Sequence, residues 1–256
     1  MTEPPLPSIF ELTPLNEAYR TDPHVLLDDL RARCPAHRDA VSGSVLLSRY
    51  ADVRATVNDR DLWRDPIRAE EGALLQRGLV QNLDPNLPRT STTSILMLDD
   101  PDHARVRQPL AQALYARVAK FRPQVEAIID ANLDALAGET GFDLMDRFCV
   151  PVPIDVIASI LGVDHDRLGE FREWSEGVIQ SLNPFRGEAA TRIMEAASEA
   201  LNAYFIAELA DRRANPRDDL LSDMVRLQAE GAQLSDDELR INLSALLVGG
   251  DRKSVV

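Results

Sequence analysis

The chain has 256 residues, 45% of them hydrophobic and 27% charged, with a formal net charge of −14. A chain of this length and balance buries roughly 70% of its unfolded surface, which excludes disorder as its main state. Its acidic surface repels phosphate backbones and anionic lipid, so neither nucleic acid nor a membrane is an expected partner.

Two cysteines far apart, Cys34 and Cys149, exclude a disulfide framework and read as structural thiols. His165-Asp166 has no further histidine at ligand spacing and reads as a helix start. The Met1–Pro5 stretch lacks the basic and apolar regions of a signal peptide. No apolar run reaches the 18 or so residues of a membrane span. The expected location is cytoplasmic.

Along the chain, Pro4, Pro5, Pro7 and Pro14 oppose regular pairing, so residues 1–16 read as an extended arm. Asp22-Pro23 opens a helix through about Arg33, with Leu26, Leu27 and Leu30 on one face. Ser44–Leu47 reads as a short strand and Tyr50–Asn58 as a short helix. From about Asp61 to Leu98 periodicity is poor; a loop of that length is either functional or a mobile surface segment.

Helical patterns then dominate. They span Val125–Leu136 (ending at Gly138), the strongly apolar Pro151–Leu161, Asp166–Ser181, Glu188–Arg213, and Asp218–Glu230 (ending at Gly231). Ser235 and Glu238 form an S-x-x-E capping box before Ile241, Leu243 and Leu246–Val248. The fold class is mainly α with a small β element.

No G-x-S-x-G, H-E-x-x-H, phosphate-cradling loop or G-x-G-x-x-G is present. His37-Arg38-Asp39 mimics a kinase tripeptide without the partners that motif needs. One segment stands out, Asp100-Pro101-Asp102-His103-Ala104-Arg105-Val106-Arg107. Asp100 suits an N-cap and Pro101 a first helical position. His103 and Arg107, four apart, share a helix face. From His103 to Arg122 the charged residues are Arg105, Arg107, Arg117, Lys120 and Arg122, with no carboxylate between them. In an acidic chain, that run points either to an anionic partner or to pairing with acidic neighbours.

This octapeptide resembles the D-P-x-H-x-x-x-R region of soluble bacterial cytochrome P450 enzymes. Further segments follow in the family's order over about residues 5–250. Asp22-Pro23 with Leu30-Arg31 is similar to its first helix, and Val45–Val53 to its first strand pair and the helix after it. Asp143–Val163 is similar to its apolar central segment. Asp219–Ser222 and Leu246–Gly250 are similar to the approach to the long helix over the haem.

The resemblance implies the N-terminal part of a cytochrome P450 fold and a haem-thiolate monooxygenase acting on a small organic substrate. Electrons would come from NAD(P)H through a ferredoxin or flavoprotein. It implies that His103 and Arg107 bind the haem propionates, and that Gly249 and Gly250 allow close approach to the cofactor. Ala245 and Val248 would face the substrate pocket. The Asp61–Leu98 loop would shape substrate access, and the basic face around Arg105 and Arg117 would help an acidic redox partner dock. Pro109 is expected to kink its helix without ending it.

The family's axial-cysteine loop and the E-x-x-R that it carries downstream of the long helix are not found in these residues, and neither Cys34 nor Cys149 has the axial context. After Gly250 the similarity stops. Asp251-Arg252-Lys253-Ser254-Val255-Val256 is what GAT-CGG-AAG-AGC-GTC-GTG, part of a common sequencing adapter, encodes. The expectation is therefore that residues 1–250 are one portion of a single P450 domain and 251–256 are adapter read-through. Such a fragment is expected to be inactive alone. The alternative is a non-enzymatic helical binding protein with a haem- or anion-binding groove.

Overall fold

Asp22 starts the first long helix as its chemistry requires: its carboxylate accepts the His24 N–H at 3.0 Å, with Pro23 in the first turn where no N–H is needed. The computed structural model describes residues 5–59, 61–62, 64–71, 73, 90, 92–182 and 187–250. Side-chain surroundings of His165, Leu182, Val248, Gly249 and Gly250 lie outside that description, as do Asp251–Val256. The chain forms two units, residues 1–84 and 85–256.

In the first unit, turns over residues 9–16 lead into α1 (Glu17–Thr21) and α2 (Pro23–Arg33), which buries Leu30. Strand β1 (Ala36–Arg38) pairs antiparallel with β2 (Val45–Leu47), in the register His37 opposite Leu46. Asp39 holds the turn between them, accepting from the Ser42 N–H at 2.9 Å and the Ser42 hydroxyl at 2.5 Å. Helix α3 (Tyr50–Asn58) follows. The small β element is therefore a hairpin. Its second strand is marked by the apolar Val45–Leu47, while the polar His37-Arg38 concealed the first.

Half of the 61–98 segment lies outside the described residues. Its described parts include single 3-10 turns at Pro66–Arg68 and Ile95–Met97.

The second unit is helical. Its elements are α4 (Asp102–Val118), α5 (Arg122–Asp134), α6 (Pro151–Leu161), α7 (Leu168–Ile179), α8 (Glu188–Ala214), α9 (Leu220–Ala229) and α10 (Asp236–Gly250). Helix α4 begins one residue later than the sequence suggests, yet Asp100 still accepts the Ala104 N–H at 3.1 Å. It runs through Pro109 unbroken.

Helix α6 supplies Ile154, Ile157, Ala158, Ile160 and Leu161 to the core. Each of its large side chains contributes about 1.5–3 kcal/mol by leaving water. The 27 residues of α8 pack against α7, α9 and α10, bringing in Leu201, Phe205 and Leu209. Arg167 lies over both Trp174 and Tyr204, capping an aromatic cluster with Phe171 and Phe205. No helix among the described residues is long and apolar enough to cross a membrane.

Candidate functional site

Two arginine clamps set the orientation of α4. At its N-terminal end Arg105 donates to both Glu238 carboxylate oxygens, at 2.5 and 3.2 Å, and to the Gln233 carbonyl at 2.5 Å. At its C-terminal end Arg117 pairs with Asp223 and donates to the Asp218 carbonyl at 2.9 Å and to its carboxylate at 3.1 Å. The first clamp ties α4 to the start of α10, the second to the start of α9. Bidentate guanidinium–carboxylate geometry makes such ties directional as well as attractive.

This corrects the expectation of a basic docking face. Arg105 and Arg117 are spent on carboxylates of their own chain, and Arg122 pairs with Glu126 at 2.9 Å. For these three, pairing with acidic neighbours was the right account of the one-signed run. Arg107 differs, being exposed and making no ion pair among the described residues. At 100° per residue it lies about 200° around α4 from Arg105, so clamping one aims the other away.

Arg107 opens a stripe along α4 that continues through Leu110, Ala111 and Leu114. With Ala245 and Leu246 of α10, these residues line a cavity of about 440 Å³ whose walls are largely apolar. Ile157 and Ile160 of α6 and Met224 of α9 close it further. His103 sits one turn before Arg107 on the same face. It does not line the cavity, and its Nδ1 lies 3.5 Å from the Asp100 carboxylate.

Of the six residues singled out by sequence, Arg107 and Ala245 therefore share one cavity and His103 flanks it. Val248, Gly249 and Gly250 belong to α10, but their surroundings lie outside the described residues.

A residue that the pattern did not reveal is Asn242. It is buried, lines the same cavity, accepts the Ile95 N–H at 2.7 Å and donates to the Glu238 carbonyl at 2.7 Å. It thereby pins the end of the 61–98 segment to α10. A lone asparagine among Ile241 and Leu243 was the available signal, because a buried amide needs partners.

Among the described residues no group of three or more His, Cys, Asp or Glu side chains could hold a metal ion. Cys149 ends the turn Met145–Cys149 and does not line the cavity. Cys34, in the first unit, has its thiol 3.5 Å from the Ala36 carbonyl.

The cavity is thus largely apolar, with the Arg107 guanidinium, unpaired among the described residues, in its lining. The chain is 31% identical over 249 residues to cytochrome P450 107B1 of Saccharopolyspora erythraea, covering 96% of this chain and 59% of that protein. It is 34% identical over 213 residues to 6-deoxyerythronolide B hydroxylase of the same organism, covering 82% of this chain and 51% of that protein.

Among solved structures, the Bacillus subtilis bacillaene polyketide synthase cytochrome P450 PksS matches with a TM-score of 0.75 at 26% identity. That match covers 95% of this chain and 59% of that one. No protein-family model matches. The chain spans between about half and three-fifths of the length of the relatives it matches.

Proposed function

We propose that this chain, which belongs to the cytochrome P450 family, is the N-terminal part of a haem-thiolate monooxygenase. Residues 1–250 then form one portion of a single catalytic domain, and residues 251–256 are adapter-derived. The observation that carries the reading is Arg107: of the arginines on and beside α4 it alone lacks an ion pair among the described residues, and it sits at the edge of an apolar cavity that Ala245 also lines.

Arg107 would hold one haem propionate through charge-assisted hydrogen bonds. His103, with Nδ1 turned to Asp100, keeps Nε2 for the other. Ala245, a small residue of α10, lines the cavity and would leave room for the ring, a role that the family resemblance also implies for Gly249 and Gly250 further along the helix. Leu110, Leu114 and Leu246 keep water from the ring's apolar part. Bound there on a cysteine thiolate, the haem would supply O₂ activation, one oxygen atom entering a small organic substrate and the other leaving as water. Electrons would come from NAD(P)H through a ferredoxin or flavoprotein. Neither Cys34 nor Cys149 supplies the thiolate, so on this reading it belongs to sequence outside these 256 residues, and the chain alone is inactive.

Titration of the chain with haemin, followed by the change in the haem absorption band, tests the site. Arg107→Leu is expected to weaken binding by about tenfold, the worth of one charge-assisted hydrogen bond. Equal affinity in the variant would overturn the assignment. Re-sequencing the source DNA across the codon for Gly250 tests the extent. Continuation into an E-x-x-R motif and a Gly-flanked cysteine is expected, whereas a genomic stop after Val256 would favour the binding-protein reading.

A further inference from the structure

Asn242 is the polar member of an otherwise apolar stripe. Leu239, Leu243 and Leu246 stand with it on one face of α10, at the i, i+3, i+4 and i+7 positions that pack inward. A leucine at 242 would continue that stripe, and its burial would need no partner. An amide that is only 4% exposed costs free energy there unless its ends are bonded. The reason for an asparagine therefore lies in the bonds it makes.

One of those bonds is local and the other is not. Nδ2 donates to the Glu238 carbonyl at 2.7 Å, one turn back on the same helix, which orients the amide. Oδ1 then accepts the Ile95 N–H at 2.7 Å, from 147 positions away. The Ile95–Met97 turn has little hold of its own, since a single 3-10 turn is short and poorly bonded. Its Met97 N–H donates back to the Ser94 carbonyl at 2.9 Å, within the same stretch. Leu98, buried in the core, secures the far end. Thr90, earlier in the segment, bonds to the Glu238 side chain, so Glu238 and Asn242 fasten the segment on one turn of α10.

Ile95 and Leu96, carried by that turn, line the cavity beside Arg107. We infer that Asn242 is a positioning residue of this cavity: it holds Ile95 and Leu96 as the wall against which the apolar face of a bound ring packs. The identity of the ring rests on the haem reading. The ring then owes part of its affinity to a residue that acts through its neighbours, and a wall that favours the ring is in turn favoured by it.

Hydrogen exchange at individual backbone amides and haemin titration, both on the full chain, test this on wild type and Asn242→Leu. Leucine keeps the volume and removes both bonds. The Ile95 amide is expected to exchange about tenfold faster in the variant, while amides of α6 and α8 stay within about twofold. Haemin affinity is expected to fall about fivefold, although the lining has become more apolar. Saturating haemin should slow Ile95 exchange in wild type by a similar factor. If Asn242→Leu does not fold, Asn242→Ser, whose shorter side chain gives up the Ile95 bond, replaces it with the same expectations. Unchanged Ile95 exchange in the folded variant, acceleration spread evenly over the chain, or faster Ile95 exchange with unchanged haemin affinity would each overturn the inference. Should wild type take up no haemin, the haem reading fails, and Ile95 exchange alone decides whether Asn242 holds the wall.

Discussion

Glu238 and Arg105, 133 positions apart in the chain, form the joint between α4 and α10. The same carboxylate that grips the guanidinium accepts the Ser235 N–H at 2.8 Å, while the Ser235 hydroxyl accepts the Glu238 N–H at 3.1 Å. The capping box that starts α10 is thus also the anchor that sets the rotation of α4. Local helix chemistry and the placing of the Arg107 cavity are coupled through one side chain.

That coupling makes stability pH-dependent. Burial alone would raise the Glu238 pKa, but hydrogen bonds from Arg105, Thr90 and the Ser235 N–H outweigh it and hold the pKa down to about 2. A carboxylate depressed on folding contributes stability above its unfolded pKa and loses it as pH falls through the folded value. The contribution, on the order of 3 kcal/mol, is therefore complete near neutrality and lost between roughly pH 4.5 and pH 2. Urea unfolding of wild type and Glu238→Gln should show a gap of that order at pH 7 that closes to under about 1 kcal/mol at pH 2. A gap that does not change with pH would contradict the clamp.

Arg105 and Arg107, two positions apart, should separate cleanly in mutagenesis. Arg105→Ala strands the Glu238 carboxylate, which is only 5% exposed, and is expected to cost about 3 kcal/mol of stability. Arg107→Ala removes an exposed, unpaired charge and should change stability by no more than about 0.5 kcal/mol. Haem affinity should follow Arg107 directly, and Arg105 only as far as the fold is lost. Unfolding curves and haemin titrations on the same two variants check both halves.

Much of this architecture is legible because its signals are local. Asp22 before Pro23, Ser235 with Glu238, and the apolar run Pro151–Leu161 each declare a helix within a few residues, and the observed helices start or end there. The octapeptide around His103 is local in the same way, and the start of α4 lies within it. What escaped depends on long-range pairing: Arg105 with Glu238, Arg117 with Asp223, and Asn242 with the Ile95 N–H. A run of basic residues does not say which of them will find a carboxylate, so docking was expected of the two arginines that the fold consumes.

A second buried joint lies at Arg212. Its side chain is 0% exposed and donates to Asp219 at 2.6 Å and to the Gly162 carbonyl at 2.9 Å, with Glu208 at 2.8 Å. Gly162, at φ +88°, ends α6 in the left-handed region, and a Cβ there would stand 2.2 Å from Asp219 Oδ2. Arg212→Leu leaves buried carboxylates uncompensated and is expected to cost about 3–5 kcal/mol. Gly162→Ala should also destabilise, through both strain and the displaced Asp219. Thermal unfolding that leaves either variant within a degree of wild type would refute this joint.

The close approach of α7 to α8 depends on Gly177. A Cβ at that position would lie 2.4 Å from the Ala197 Cβ, closer than side chains pack, and 3.4 Å from the Ile193 carbonyl oxygen. Gly177→Ala therefore forces the helices apart despite its better helix propensity, with an expected cost of about 1–3 kcal/mol. Ala197→Gly removes the clashing atom and should recover part of that loss when combined with it. The double-mutant cycle should give a favourable coupling of about 1 kcal/mol or more. Additive costs would mean that the interface yields elsewhere, and that the packing of Gly177 on Ala197 does not set the helix spacing.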